Sequence, residues 1–257
     1  MPDVLLDGRR LETARWGDGS PTLVLLHEGL GCVALWRDFP QRLAEATGCG
    51  VFAYSRFGYG RSDPATLPRP MDYMQDEARL VLPRVLDAAG VASCVLVGHS
   101  DGGSIAAVYA GAARDPRLRG LVLIAPHFFV EDMCLASIAQ AKLAYDGGDL
   151  RTRLARYHAD VDCAFRGWND AWLDPRFRAF DLTGFLPEIG VPVLVLQGVD
   201  DPYGTVVQPQ AVQRLVPAPV TVRMLDGARH APHSEQPDAS LNEIRRFTAA
   251  LAEVNAL

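Results

Sequence analysis

Six short apolar runs recur along the chain, at residues 23–26, 51–54, 94–97, 121–124, 193–196 and 221–224, with helical text between most of them. This alternation constrains the fold more than any other feature. The helical patterns occupy residues 35–46, 72–89, 104–113, 209–215 and 240–251. Strands separated by helices need crossover connections, so they lie parallel, and a parallel sheet needs helices on both faces. The runs lack polar alternation, as strands buried on both faces do. Upstream, residues 4–6 and 11–15 flank Asp7-Gly8, a hairpin signal. The expectation is an α/β chain built on a mostly parallel sheet of eight strands. With 257 residues, 49% of them hydrophobic, the chain is large enough for one such core and a small insertion.

One interval breaks the rhythm. Between Ala125 and Gly190 the text is helical or irregular and rich in aromatics, among them Phe128, Phe129, Tyr145, Tyr157, Phe165, Trp168 and Trp172. Such a length is too great for an ordinary loop. A helical cap over residues 127–185 is expected, inserted after the sixth strand, with residues 1–126 and 186–257 as the core.

The strand at 94–97 runs into Gly98-His99-Ser100-Asp101-Gly102, which fits G-x-S-x-G, and a helical pattern follows. At such a corner the serine takes a strained backbone that neighbours without side chains permit. Its hydroxyl then stands above the sheet, with the N–H of Asp101 aimed where an oxyanion would form. A serine nucleophile needs a base held by an acid. Loops at the carboxyl ends of later strands offer Asp200 or Asp201 and His230 or His233.

The landmarks "LLHEGLG", "YSRFGYGRSD", "GHSDGG", "QGVDDPYG" and "DGARHAPHSEQP" make the whole chain resemble an α/β-hydrolase fold serine hydrolase of the capped, esterase-like branch. The resemblance implies a triad of Ser100, Asp201 and His230. The family's acid commonly lies three residues after a glycine, here Gly198, and its histidine three after another, here Gly227. Asp200 and His233 are then ordinary loop residues, His99 packs under the elbow, and His27 orders a loop. His127 and His158 lie near or in the cap.

The chain departs from the family at one place. Relatives commonly carry His-Gly where this chain has His27-Glu28. The oxyanion donor of that loop is then the N–H of Gly29, beside that of Asp101. Glu28 either orders the loop through a salt bridge or hydrogen bond, the reading preferred here, or faces the pocket and positions water or a substrate hydroxyl. With His127, Trp168 and Trp172 it is a candidate pocket residue.

Composition excludes other classes. The net charge is −6, and the basic residues, all arginine except Lys142, form no stripe, so nucleic acid is a poor partner. Five scattered cysteines suit a reducing compartment rather than a disulfide framework. No zinc spacing, P-loop or complete dinucleotide fingerprint is present. Neither a signal peptide nor a membrane span is legible, and a cytoplasmic location is expected. The expected protein is a cofactor-free hydrolase of small or medium carboxylic esters. C–C bond hydrolases and thioesterases of the fold share the same triad. A ligand receptor built on this fold is the rival from another class.

Overall fold

The computed structural model describes residues 3–254. Seven strands form the main sheet: β3 (Thr13–Trp16), β4 (Thr22–Leu26), β5 (Val51–Tyr54), β6 (Cys94–His99), β7 (Leu118–Ile124), β8 (Val193–Gly198) and β9 (Val220–Leu225). Their order is β3-β5-β4-β6-β7-β8-β9, with β3 antiparallel to β5 and every other pair parallel. Two further strands, β1 (Val4–Leu6) and β2 (Arg9–Leu11), form a separate antiparallel ribbon.

The expectation of an eight-stranded sheet is therefore corrected to seven, among the described residues. The first hairpin turns at Asp7 and Gly8 as expected, both at positive φ. The strand expected over 11–15 breaks at Glu12, whose N–H donates to Ser62 Oγ at 2.9 Å while its carboxylate accepts from Ser55 Oγ at 2.7 Å. Before the break, β2 pairs with β1. Beyond it, β3 pairs with β5.

Period-two alternation splits each parallel strand between two cores. Leu23, Leu25, Val95, Val97, Val122 and Ile124 pack under Trp36, Phe39, Leu43 and Ile244 on one face. Val24, Leu26, Leu96, Leu121 and Leu123 face the other side, with Ile105 and Val108 of the helix Asp101–Ala112. From β4 the chain first goes to β5 on one side, then crosses to β6 on the other. That reversal opens a crevice at the carboxyl ends of β4 and β6, the usual ligand position in such sheets.

Between β7 and β8 lie helices Asp132–Gly147, Leu150–Leu154 and Val161–Leu173 and two 3-10 turns, Pro175–Ala179 and Thr183–Glu188. The only strand-like pairing described there is the bridge Phe129–Asp181. The last turn lies against the elbow helix so closely that a Cβ at Gly111 would stand 2.2 Å from the Phe185 carbonyl oxygen. No helix among the described residues is long and apolar enough to cross a membrane.

Candidate active site

Strand β6 runs straight into Ser100, which sits at φ 52° and ψ −118°, a strained conformation for a residue with a side chain. The flanking glycines have steric reasons. A Cβ at Gly98 would lie 2.2 Å from the Gly102 carbonyl oxygen, and one at Gly102 would lie 1.9 Å from that of Leu26. Only a corner without these side chains lets β6 turn into its helix against β4.

The Ser100 hydroxyl lies 2.9 Å from His230 Nε2. On the far edge of that ring, Nδ1 is 2.8 Å and 3.0 Å from the two Asp201 oxygens. An ionised carboxylate only accepts, so Nδ1 carries the proton and Nε2 presents a lone pair to the serine. Asp201 also accepts from Gln197 Nε2 at 2.7 Å and from the Tyr203 N–H at 2.8 Å. Burial alone would raise its carboxyl, but the hydrogen bond and charge of His230 and the Tyr203 N–H hold it below the usual range. Asp200 is exposed and joins this group only through its N–H, which donates to the Ala228 carbonyl.

The other histidines divide as their surroundings dictate. His233 is buried against Trp36, Phe39 and His99, and burial pushes it down to about 3. His158 accepts from the Gly60 N–H at 2.9 Å and donates to the Leu30 carbonyl at 3.0 Å, which makes it a tie rather than a pocket group. His99 lies under the elbow, its Nε2 donating to the His230 carbonyl at 2.7 Å. His127 lines the cavity with its ring 5.5 Å from that of His230.

A cavity of about 270 Å³ opens over Ser100, walled by Glu28, Leu30, Ile138, Trp168, Trp172 and Tyr203 among others. Among the described residues no lysine or arginine lines it. Gly29 and Asp101 also line it, and neither backbone N–H donates to a protein acceptor among the described residues. Trp168 lies so close over Gly29 that a Cβ there would be 2.2 Å from Nε1. The Glu28 side chain folds back over Gly31 and brings Oε2 to 3.5 Å from His99 Nδ1. It therefore pairs with a histidine, as the preferred reading expects, and also forms part of the wall.

Sequence reasoning missed four groups at this site. Arg56 and Tyr73 reach it through contacts between distant segments, whereas Gln197 and Tyr203 stand beside Asp201 in the chain. Arg56 left a trace inside "YSRFGYGRSD", and Gln197 and Tyr203 inside "QGVDDPYG".

A model of the alpha/beta hydrolase family matches residues 23–243, and the chain belongs to that family of hydrolases. The chain is 28% identical to a non-heme chloroperoxidase of Streptomyces lividans, over 94% of this chain and 96% of the relative. Many solved structures share its fold, among them these two. One is a thermophilic esterase from Thermogutta terrifontis, with TM-score 0.75, 20% identity and 97% of each chain covered. The other is the enol-lactonase from Burkholderia xenovorans LB400, with TM-score 0.75 and 20% identity, covering 96% of this chain and all of that one.

Proposed function

We propose that the chain is a serine hydrolase that cleaves small or medium uncharged carboxylic esters through an acyl-enzyme. The observation that carries this reading is the Ser100–His230–Asp201 chain of hydrogen bonds beneath a mostly apolar cavity. Ser100 Oγ attacks the carbonyl carbon as His230 Nε2 takes its proton. Asp201 keeps the ring oriented and stabilises the imidazolium. The N–H groups of Gly29 and Asp101 receive the oxyanion. His230 then protonates the departing alcohol, and afterwards draws a proton from water as it attacks the acyl carbon. Residues 127–185 act as the cap that sets acyl length.

The esterase and enol-lactonase among the structural neighbours support ester chemistry as the first choice, and the mostly apolar wall favours a neutral acyl chain. The test is fluorophosphonate labelling with the modified residue mapped, followed by a panel of esters, thioesters and vinylogous diketones. Labelling at Ser100 with rapid multiple turnover of short esters is the expected result. Preferred cleavage of a thioester or diketone moves the chain to those hydrolases. Tight binding of an ester or lactone without turnover identifies a receptor.

A further inference from the structure

The donor group of an oxyanion hole is one end of a peptide plane, and something must hold the other end. In a trans peptide the C=O and the following N–H point in opposite directions. The Glu28 carbonyl oxygen accepts from His27 Nδ1 at 2.7 Å, from Arg56 Nη2 at 2.9 Å and from the Gly31 N–H at 3.1 Å. His27 and Arg56 are both buried, 1% and 3% exposed, and neither lines the cavity. The carbonyl is thus drawn into the protein, and the N–H of Gly29 is turned toward the cavity that Gly29 lines. Three donors on the oxygen also polarise the peptide and make its N–H a stronger donor.

The protonation of His27 agrees with this arrangement. Its Nε2 accepts from the Arg56 N–H at 3.0 Å, so the ring proton sits on Nδ1 and points at the Glu28 oxygen. Burial holds the imidazole far below its ordinary range, so this neutral tautomer persists.

Arg56 reaches the second donor as well. Its Nη2 lies 3.8 Å from Asp101 Oδ2. Asp101 in turn accepts from Tyr73 Oη at 2.6 Å, and that phenol accepts from Trp172 Nε1 at 3.1 Å. The guanidinium therefore spans the two chain segments that carry the Gly29 and Asp101 N–H groups and connects them to the cap. Nε and Nη1 have no hydrogen-bond partner, which makes Arg56 a poor choice for stability alone.

We propose that Arg56 and His27 are the positioning residues of the oxyanion hole, aiming the Gly29 N–H by holding the Glu28 carbonyl and joining that peptide to the elbow through Asp101. This rests on the serine-hydrolase reading above.

The experiment compares full-length wild type with Arg56→Lys, Arg56→Gln, His27→Leu and His27→Asn. Active sites are counted by fluorophosphonate labelling to completion. For each enzyme, kcat per counted site, KM for a short ester and Ki for a trifluoromethyl ketone, which binds as an oxyanion, are measured. Loss of one oxyanion donor costs about 10²–10³-fold in kcat. The Arg56 variants and His27→Leu are expected to lose about 10²-fold in kcat per site, with KM within about threefold and Ki raised in parallel. His27→Asn, whose amide nitrogen takes the place of Nδ1, is expected to recover part of the loss. A merely structural role would lower the count of labelled sites and the melting temperature while leaving kcat per site and Ki unchanged. That result overturns the inference while the hydrolase reading stands. A wild type that neither labels nor hydrolyses overturns both.

Discussion

Glu28 Oε2 and His99 Nδ1 lie 3.5 Å apart, on the edge of the imidazole opposite the bond that ties His99 Nε2 to the His230 carbonyl. That bond fixes a proton on Nε2. A second proton must lie between Nδ1 and the carboxylate, or two lone pairs would face each other. Burial opposes charge on both groups, but each one's partner outweighs it: Glu28 is held well below its usual range and His99 is raised. The pair is an imidazolium and a carboxylate. At 3.5 Å it is an ion pair rather than a tight hydrogen bond.

This charge distribution makes Glu28→Gln informative. An amide beside a neutral His99 carries the same net charge as the native pair and can donate to Nδ1, so turnover of neutral esters should change by less than about threefold. Because the charge of the wall is conserved, the preference for neutral over carboxylate-bearing esters should likewise shift by less than about threefold. Competition between matched esters in kcat/KM measures it. A burst of leaving group found in the variant and absent from wild type would instead place Glu28 in deacylation.

Asp201→Asn and Asp200→Asn should differ sharply. The first removes the acceptor that fixes the His230 tautomer and should cut kcat by about 10⁴-fold. The second alters an exposed side chain and should stay within about twofold. Ser100→Ala should abolish turnover and labelling. Ser100→Gly should do the same while raising the melting temperature, because glycine relieves the φ of 52°.

Acid should destabilise the fold well before carboxylates protonate. Burial holds His27 and His158 below the ordinary imidazole range and pushes His127 and His233 to about 3. Below about 6.5 the unfolded chain binds protons that these four hold off when folded, down to about 3 for His127 and His233, so stability falls as pH drops through that window. His99 acts oppositely: its raised value adds stability below about 6.5 that is lost as pH climbs through its folded value. The four outnumber it. His233→Phe keeps the ring against Trp36 and Phe39. It should make the decline shallower, by on the order of 2 kcal/mol near pH 4.5. Urea midpoints from pH 7 to 4 give the comparison.

Trp168 and Trp172 both wall the cavity but should respond differently to truncation. Trp172 is 2% exposed, packs at a tilt against Phe177 and Phe180, and donates to Tyr73. Trp172→Ala should cost about 3–5 kcal/mol of stability. Trp168 covers Gly29, and its indole N–H has no protein acceptor among the described residues. Trp168→Ala should lengthen the preferred acyl chain with a smaller stability loss. Thermal melts and a chain-length series of nitrophenyl esters separate the two.

The parallel strands were legible because burial on both faces leaves continuous apolar runs such as Val95–Leu96–Val97. The elbow was legible because its glycines answer to steric demands inside one short stretch. The break at Glu12 was not, since it depends on Ser55 and Ser62, which arrive from another part of the chain. The grip of Arg56 on Glu28 was hidden for the same reason, as was the tie from Tyr73 to Asp101. Choosing Asp201 over Asp200 needed the family's spacing. What separates them physically is burial beside Gln197 and the Tyr203 N–H, which two adjacent aspartates in a sequence do not reveal.

The groups over the cavity come from the carboxyl ends of β4, β6, β7, β8 and β9 and from the helices between β7 and β8, and β9 is the last of the described strands in chain order. Ser100 therefore has no partner while the chain is still being synthesised. On the proposed mechanism, a ribosome-bound chain should gain a reactive hydroxyl only after His230 has emerged and the far edge of the sheet has closed. Covalent capture at Ser100 would then count molecules whose sheet has closed over residues 3–254, and timing that capture during translation would give the moment of closure.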